Sequence, residues 1–200
     1  MQPSIAVPIS VDPEKPWVLP NRGIVGMWCL ITAEAAIFLI FIVAYVYYLG
    51  KNLSGPTPSE VLELPILGTI CLLSSSLTVH AAVVAIRKGN VRRCSLALGI
   101  TVTLGTIFLL TTAKEWHHLI YEAGLTIRTN LFGTTYFSLV GLHATHVIVG
   151  LLLLVAALLF SLSGRVTQVH SERLEVLSLY WHFVDAVWVV VFVIVYVIGR

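Results

Sequence analysis

Five stretches of this sequence are each long and apolar enough to cross a lipid bilayer, and that limits what the chain can fold into more than any other feature. A membrane-spanning helix needs about 20 residues at about 1.5 Å rise. Residues 24–49, 62–86, 95–113, 136–162 and 176–198 approach or exceed that length. The third is the shortest, and Trp116 and Tyr121 beyond it are residue types that favour the membrane interface, so its helix is expected to run on to 119. Lipid offers the backbone no hydrogen bonds, and apolar segments of this length satisfy their own as helices. The fold class expected is therefore all-α, a polytopic membrane protein with a five-transmembrane-helix bundle over residues 24–200. Residues 1–23, with Pro3, Pro8, Pro13, Pro16 and Pro20, read as an extended tail rather than a cleaved signal.

Composition supports a membrane solvent: 58% of residues are hydrophobic, 11% are charged, and mean hydropathy is +0.93. A net charge of +2 and the lack of a basic run interleaved with aromatics argue against nucleic acid as a partner. Cys29, Cys71 and Cys94 show no C-x-x-C spacing and read as packing residues. The remaining prolines are Pro56, Pro58 and Pro65, so the broken helices of a transporter are not signalled. Lys15, Arg22, Arg87, Lys88, Arg92, Arg93, Arg165 and Arg173 fall on one side of the expected membrane, and Lys51, Lys114, Arg128 and Arg200 on the other. That bias places the N-terminus in the cytoplasm and the C-terminus outside.

Ionisable groups at membrane depth cost a few kcal/mol each and persist when paired or useful. Glu34, His80, His143, His146, His182 and Asp185 are such groups. Counted inward from the expected cytoplasmic face, Glu34 lies about ten residues deep, His80 about six and Asp185 about nine, so these three are expected to share a layer and to be able to meet. The simpler reading of each histidine, and of His182 with Asp185, is a structural bond between neighbouring helices. At the end of the third span, "KEWHHLIYE" sets Glu115, His118 and Glu122 at i, i+3 and i+7, as a metal site would, but also as a helix end reaching for water would. Ser74, Ser75, Ser76, Gly141 and Gly150 read as small residues that let helices approach closely. No phosphate-binding loop, zinc-protease motif or nucleophile with a spaced base is present, and the histidines are not arranged as facing haem ligands. On its residues alone the chain reads as a subunit or a carrier rather than a self-sufficient enzyme.

Three stretches, "GMWCLITAEAAIFLIFIVAYVYY" (26–48), "GTTYFSLVGLHATHVIVGL" (133–151) and "YWHFVDAVWVVVFVIVYVIG" (180–199), resemble subunit III of the haem–copper respiratory oxidases in sequence, order and spacing. The resemblance covers all five spans and is to the short bacterial form, which lacks the first two helices of the seven-helix version. It implies that Glu34 is the family's buried carboxylate, that His80 is its histidine near the cytoplasmic helix end, and that Glu115 with Trp116 is its Glu-aromatic pair. His143, His146, His182 and Asp185 match its two remaining motifs. Two departures, Ile37 in "EAAIF" where phenylalanine is usual and Ala144 in "GLHATH" where glycine is usual, are expected to repack locally.

The resemblance further implies a non-catalytic subunit with no metal, haem or other redox centre of its own. Haem and copper would lie in partner subunits I and II, with subunit I the main contact. Phospholipid would be bound, and the complex would pump protons in aerobic electron transport at the bacterial cell membrane. "YWHFVD" with "NLFGTTYF" looks like the cytochrome c oxidase form, while "EWHHLI" looks somewhat like that of a quinol oxidase; related chains accompany nitric oxide reductases. A stand-alone proton or solute carrier is the alternative of a different class.

Overall fold

The computed structural model describes residues 22–51 and 55–199; the expected tail, residues 1–21 of it, lies outside the described residues. Among the described residues six α-helices follow in order: α1 (Arg22–Tyr48), the single turn α2 (Pro58–Val61), α3 (Ile66–Arg87), α4 (Val91–His117), α5 (Leu131–Leu162) and α6 (Ser171–Phe192). α4 continues as a π-helical turn over His118–Glu122, and α6 as another over Val193–Ile198. Among the described residues, five helical stretches are long and apolar enough to cross a membrane. The chain is an integral membrane protein.

The helices begin and end where caps act rather than where hydropathy changes. α5 starts at Leu131, five residues before the expected 136, because the side chain of Asn130 accepts the Gly133 amide at 2.8 Å and so satisfies an orphan donor of the first turn. Conversely α3 starts at Ile66, later than expected, because Leu62–Pro65 belong to the link from α2. That turn is closed by the Thr57 amide donating to Glu60 at 2.9 Å, a bond that holds the Glu60 carboxyl below its ordinary range. α6 starts at Ser171, so the polar "SERLE" is helical too, and α4 runs from Val91 through the π turn to Glu122, past the expected 119. The α3–α4 hairpin turns at Gly89, whose φ of 73° suits a residue without a Cβ.

α3, α4, α5 and α6 form a ring in which each packs against two neighbours, and α1 lies outside it against α5 and α6. α1 buries Phe38 and Tyr45, while Trp28, Leu39, Ile40 and Tyr47 remain exposed along its length. Apolar exposure of this kind is what a lipid-facing helix should show. Cys71 and Cys94 are buried, in keeping with packing, whereas Cys29 is exposed on α1, so the packing reading fails there. Burial followed the helix's position at the edge of the bundle, which local sequence does not encode.

A side chain of α6 fills the space between the ring's helices. Trp181 is fully buried and lies where a Cβ on Gly150 of α5 would come within 2.9 Å of its ring, and one on Gly105 of α4 within 3.1 Å. Both glycines thus make room for one indole. At the basic end Arg87 pairs with Glu175 at 2.5 Å, and Gln168 Nε2 donates to the Arg87 carbonyl at 2.7 Å, tying the end of α3 to the start of α6.

At the opposite end Asn130 Nδ2 also donates to the Pro56 carbonyl at 3.1 Å, so one residue caps α5 and holds the 55–58 link. Asn130→Ala is expected to cost about 1–2 kcal/mol. Amide exchange in the first turn of α5 should speed up while that of α6 stays unchanged.

Candidate functional site: polar clasps at membrane depth

Helices in lipid gain little from apolar association and are held by packing and by interhelical hydrogen bonds. Beside hydroxyl pairs such as Thr78–Thr101 at 2.7 Å and Ser95–Ser161 at 2.8 Å, three clasps among the described residues use ionisable side chains. Each joins different helices.

The first joins α1 to α5. His146 Nε2 lies 3.0 Å from Glu34 Oε2, and His146 Nδ1 lies 2.8 Å from the Leu142 carbonyl one turn earlier. A carbonyl cannot donate, so Nδ1 must carry its hydrogen there, and one further proton is shared between Nε2 and the carboxyl. The clasp is either imidazolium with carboxylate or imidazole with carboxylic acid, and both are net neutral, which suits a site of low polarity. Phe38 packs on the imidazole with ring centroids 4.9 Å apart, and the Tyr180 hydroxyl donates to the His146 carbonyl at 3.3 Å.

The second joins α3 to α6. Ser76 Oγ lies 3.0 Å from His182 Nδ1 and donates to Asp185 Oδ2. Two indoles reinforce the same seam: Trp181 Nε1 donates to Ser75 Oγ at 2.8 Å, and Trp188 Nε1 to Thr69 Oγ1 at 3.2 Å. As the α3 partner moves from Ser75 to Thr69 the α6 partner moves from Trp181 to Trp188, the register of an antiparallel pair. His182 and Asp185 share one helix face because they are three residues apart.

The third joins α4, α5 and α6 at the end away from the basic loops. Glu115 Oε1 accepts from Tyr136 at 3.0 Å and from Tyr196 at 2.8 Å, and the two hydroxyls are 3.2 Å apart. Trp116 beside it packs edge-on against Phe137 and over Gly141. The face formed by Glu115, His118 and Glu122 is divided, because Glu115 turns inward to the tyrosines while His118 pairs with Glu122 at 3.5 Å in the exposed π turn.

The expected meeting of Glu34, His80 and Asp185 does not occur. Glu34 is taken by His146 and Asp185 by Ser76, because α1 packs against α5 and α6 while α3 packs against α4 and α6. Residue counting alone could not separate them; helix order does. His80 is exposed, one turn along α3 from Ser76. His143 is fully buried, stacked on Trp188 at 5.0 Å and edge-on to Phe108, and its ring nitrogens have no hydrogen-bond partner among the described residues. Ile37 is exposed, so its departure from the expected phenylalanine needs no repacking inside this chain, and Phe38 beside it makes the contact with His146.

Sequence reading missed Ser76 as the node of the second clasp, having taken the serine run as small packing residues. It also missed Tyr136 and Tyr196. Their signal was available: Tyr hydroxyls deep in an apolar run require partners.

Pattern comparison with known proteins bears on the whole chain. The family model described as Cytochrome c oxidase subunit III matches residues 20–200. "Cytochrome c oxidase subunit 3" of Alkalihalophilus pseudofirmus is 33% identical over 189 residues, 94% of this chain and 92% of that protein. The protein of the same name from Synechocystis is 38% identical over 183 residues, 90% of this chain and 77% of its own length. "Cytochrome bo(3) ubiquinol oxidase subunit 3" of Pseudomonas aeruginosa is 33% identical over 181 residues, 90% of this chain and 86% of that protein. With a match that runs through all five spans and every clasp, this chain belongs to the cytochrome c oxidase subunit III family.

Proposed function

We propose that the chain is subunit III of a proton-pumping haem–copper terminal oxidase, a cytochrome c oxidase, in a bacterial cell membrane with its N-terminus in the cytoplasm. The observation that supports this best is similarity to oxidase subunits over nearly the full length of both partners. Haem and copper belong to subunits I and II. This chain binds subunit I, retains phospholipid and sustains turnover. The clasps suit that work, because each spends its polar groups on bonds between helices and holds the bundle in one arrangement.

A cleft of about 460 Å³ at the basic end fits the lipid role. Cys94, Leu98, Ala157 and Phe160 form an apolar wall, with Arg165 and Arg173 at the rim, an arrangement suited to acyl chains below an anionic headgroup.

A quinol oxidase is the second reading, favoured by the Pseudomonas aeruginosa relative. A copper-binding cluster of cysteines and histidines in the neighbouring subunit II decides for cytochrome c, and its absence for quinol. The subunit assignment itself is tested by Glu34→Ala in the intact oxidase. Haem content and initial oxygen reduction should stay within about twofold of the parent, while bound phospholipid falls and activity decays faster during turnover. Loss of haem, or solute transport by this chain reconstituted alone in liposomes, would overturn it.

A further inference from the structure

The second clasp has a property that hydrogen-atom counting exposes. Ser76 Oγ bonds both His182 Nδ1 and Asp185 Oδ2, and two hydrogen bonds need two hydrogens. The serine owns one. The other must sit on the imidazole or on the carboxyl, so the tautomer of His182 and the protonation of Asp185 are locked to each other through one hydroxyl.

We propose that His182, Ser76 and Asp185 form a proton relay, with Asp185 as its buried proton-holding end. In the loaded state Asp185 carries the proton on Oδ2 and donates to Ser76, Ser76 donates to His182 Nδ1, and His182 has its hydrogen on Nε2. In transfer the Oδ2–H bond breaks as Ser76 Oγ takes that proton. The serine's own proton passes to Nδ1, and the proton on Nε2 leaves to a water molecule at the partly exposed His182. Asp185 is then a carboxylate accepting from Ser76, and His182 donates from Nδ1 to Ser76. One proton has moved and no bond is left unfilled.

Three observations support this arrangement. Asp185 Oδ1 is buried with no partner among the described residues, which suits the carbonyl oxygen of a neutral acid far better than half of a carboxylate. His182, at the other end of the relay from Asp185, is only partly buried, so the relay has an outer end. Other ionisable groups near α6 are engaged elsewhere: Glu34 of α1 and His146 of α5 bond each other, Arg87 of α3 pairs with Glu175, Glu115 bonds the tyrosines, and His143 is stacked on Trp188.

The test is infrared spectroscopy on the intact oxidase with aspartate labelled with ¹³C. A protonated-carboxyl C=O band assigned to Asp185 should be present at neutral pH, be lost in Asp185→Asn, and shift in deuterated buffer. Ser76→Ala should slow that deuteration at least tenfold, and Ser76→Thr, which keeps the hydroxyl, should restore it. The Ala and Thr pair carries the test even where Asp185→Asn does not assemble. Absence of a protonated Asp185 band, or equal deuteration in Ser76→Ala and the parent, would overturn the relay. Oxygen reduction by the same preparations reports separately on the subunit reading, which this proposal goes beyond.

Discussion

Trp181→Ala is expected to destabilise the bundle by about 3–5 kcal/mol. The indole is fully buried and touches three elements: its ring faces Gly105 of α4 and Gly150 of α5, and its Nε1 donates to Ser75 of α3. Removing it empties the centre of the four-helix ring. The glycines cannot refill the space, since neither has a side chain to move. Lipid-phase helices depend on packing rather than on exclusion of water, so lost contacts of this kind translate directly into lost stability. Denaturation of the purified chain in mixed micelles should show the change, and Trp181→Phe should recover a good part of it. A midpoint unaltered in Trp181→Ala would mean that the ring closes without its central residue.

The second large effect is expected at Glu115. Replacement by leucine leaves Tyr136 and Tyr196 with two buried hydroxyls and only each other as partners, a loss of about 2–4 kcal/mol. Glu115→Gln keeps a carbonyl oxygen for both tyrosines and should cost less than about 1 kcal/mol. The contrast separates acceptor from charge: a clasp needs the oxygen, whereas a role for the charge itself would make glutamine as harmful as leucine. Because the clasp joins α4, α5 and α6, the leucine variant should loosen the end carrying Tyr196 first. Hydrogen exchange in Val193–Ile198 would register this before the basic end responds.

The two cases show why some of the site was legible in the sequence. Glu115 stood out because an acid near an apolar run is costly and draws attention. Its tyrosine partners did not stand out, since tyrosine is common in membrane helices and its hydroxyl is conspicuous only once its depth is known. Ser76 was hidden for a different reason. Among Ser74, Ser75 and Ser76 the chain alone offers no means of telling which faces α6, and one residue's rotation of about 100° separates a packing serine from the node that binds His182 and Asp185.

Membrane spans, helical class and the family were settled by local features: runs of about 20 apolar residues, the scarcity of proline within them, and the three motif stretches. These are properties of contiguous sequence, and lipid as solvent leaves such segments little choice but to be helices. Partnership was not of that kind. Counting residues put Glu34, His80 and Asp185 at similar expected depth, yet α1 lies against α5 and α6, so Glu34 meets His146, while α3 lies against α6, so Asp185 meets Ser76. Depth follows from counting residues along one helix. Which side chain faces which depends on the order and rotation of helices around the bundle, and that is decided by features such as one indole seated over two glycines, which exist only after the chain has packed.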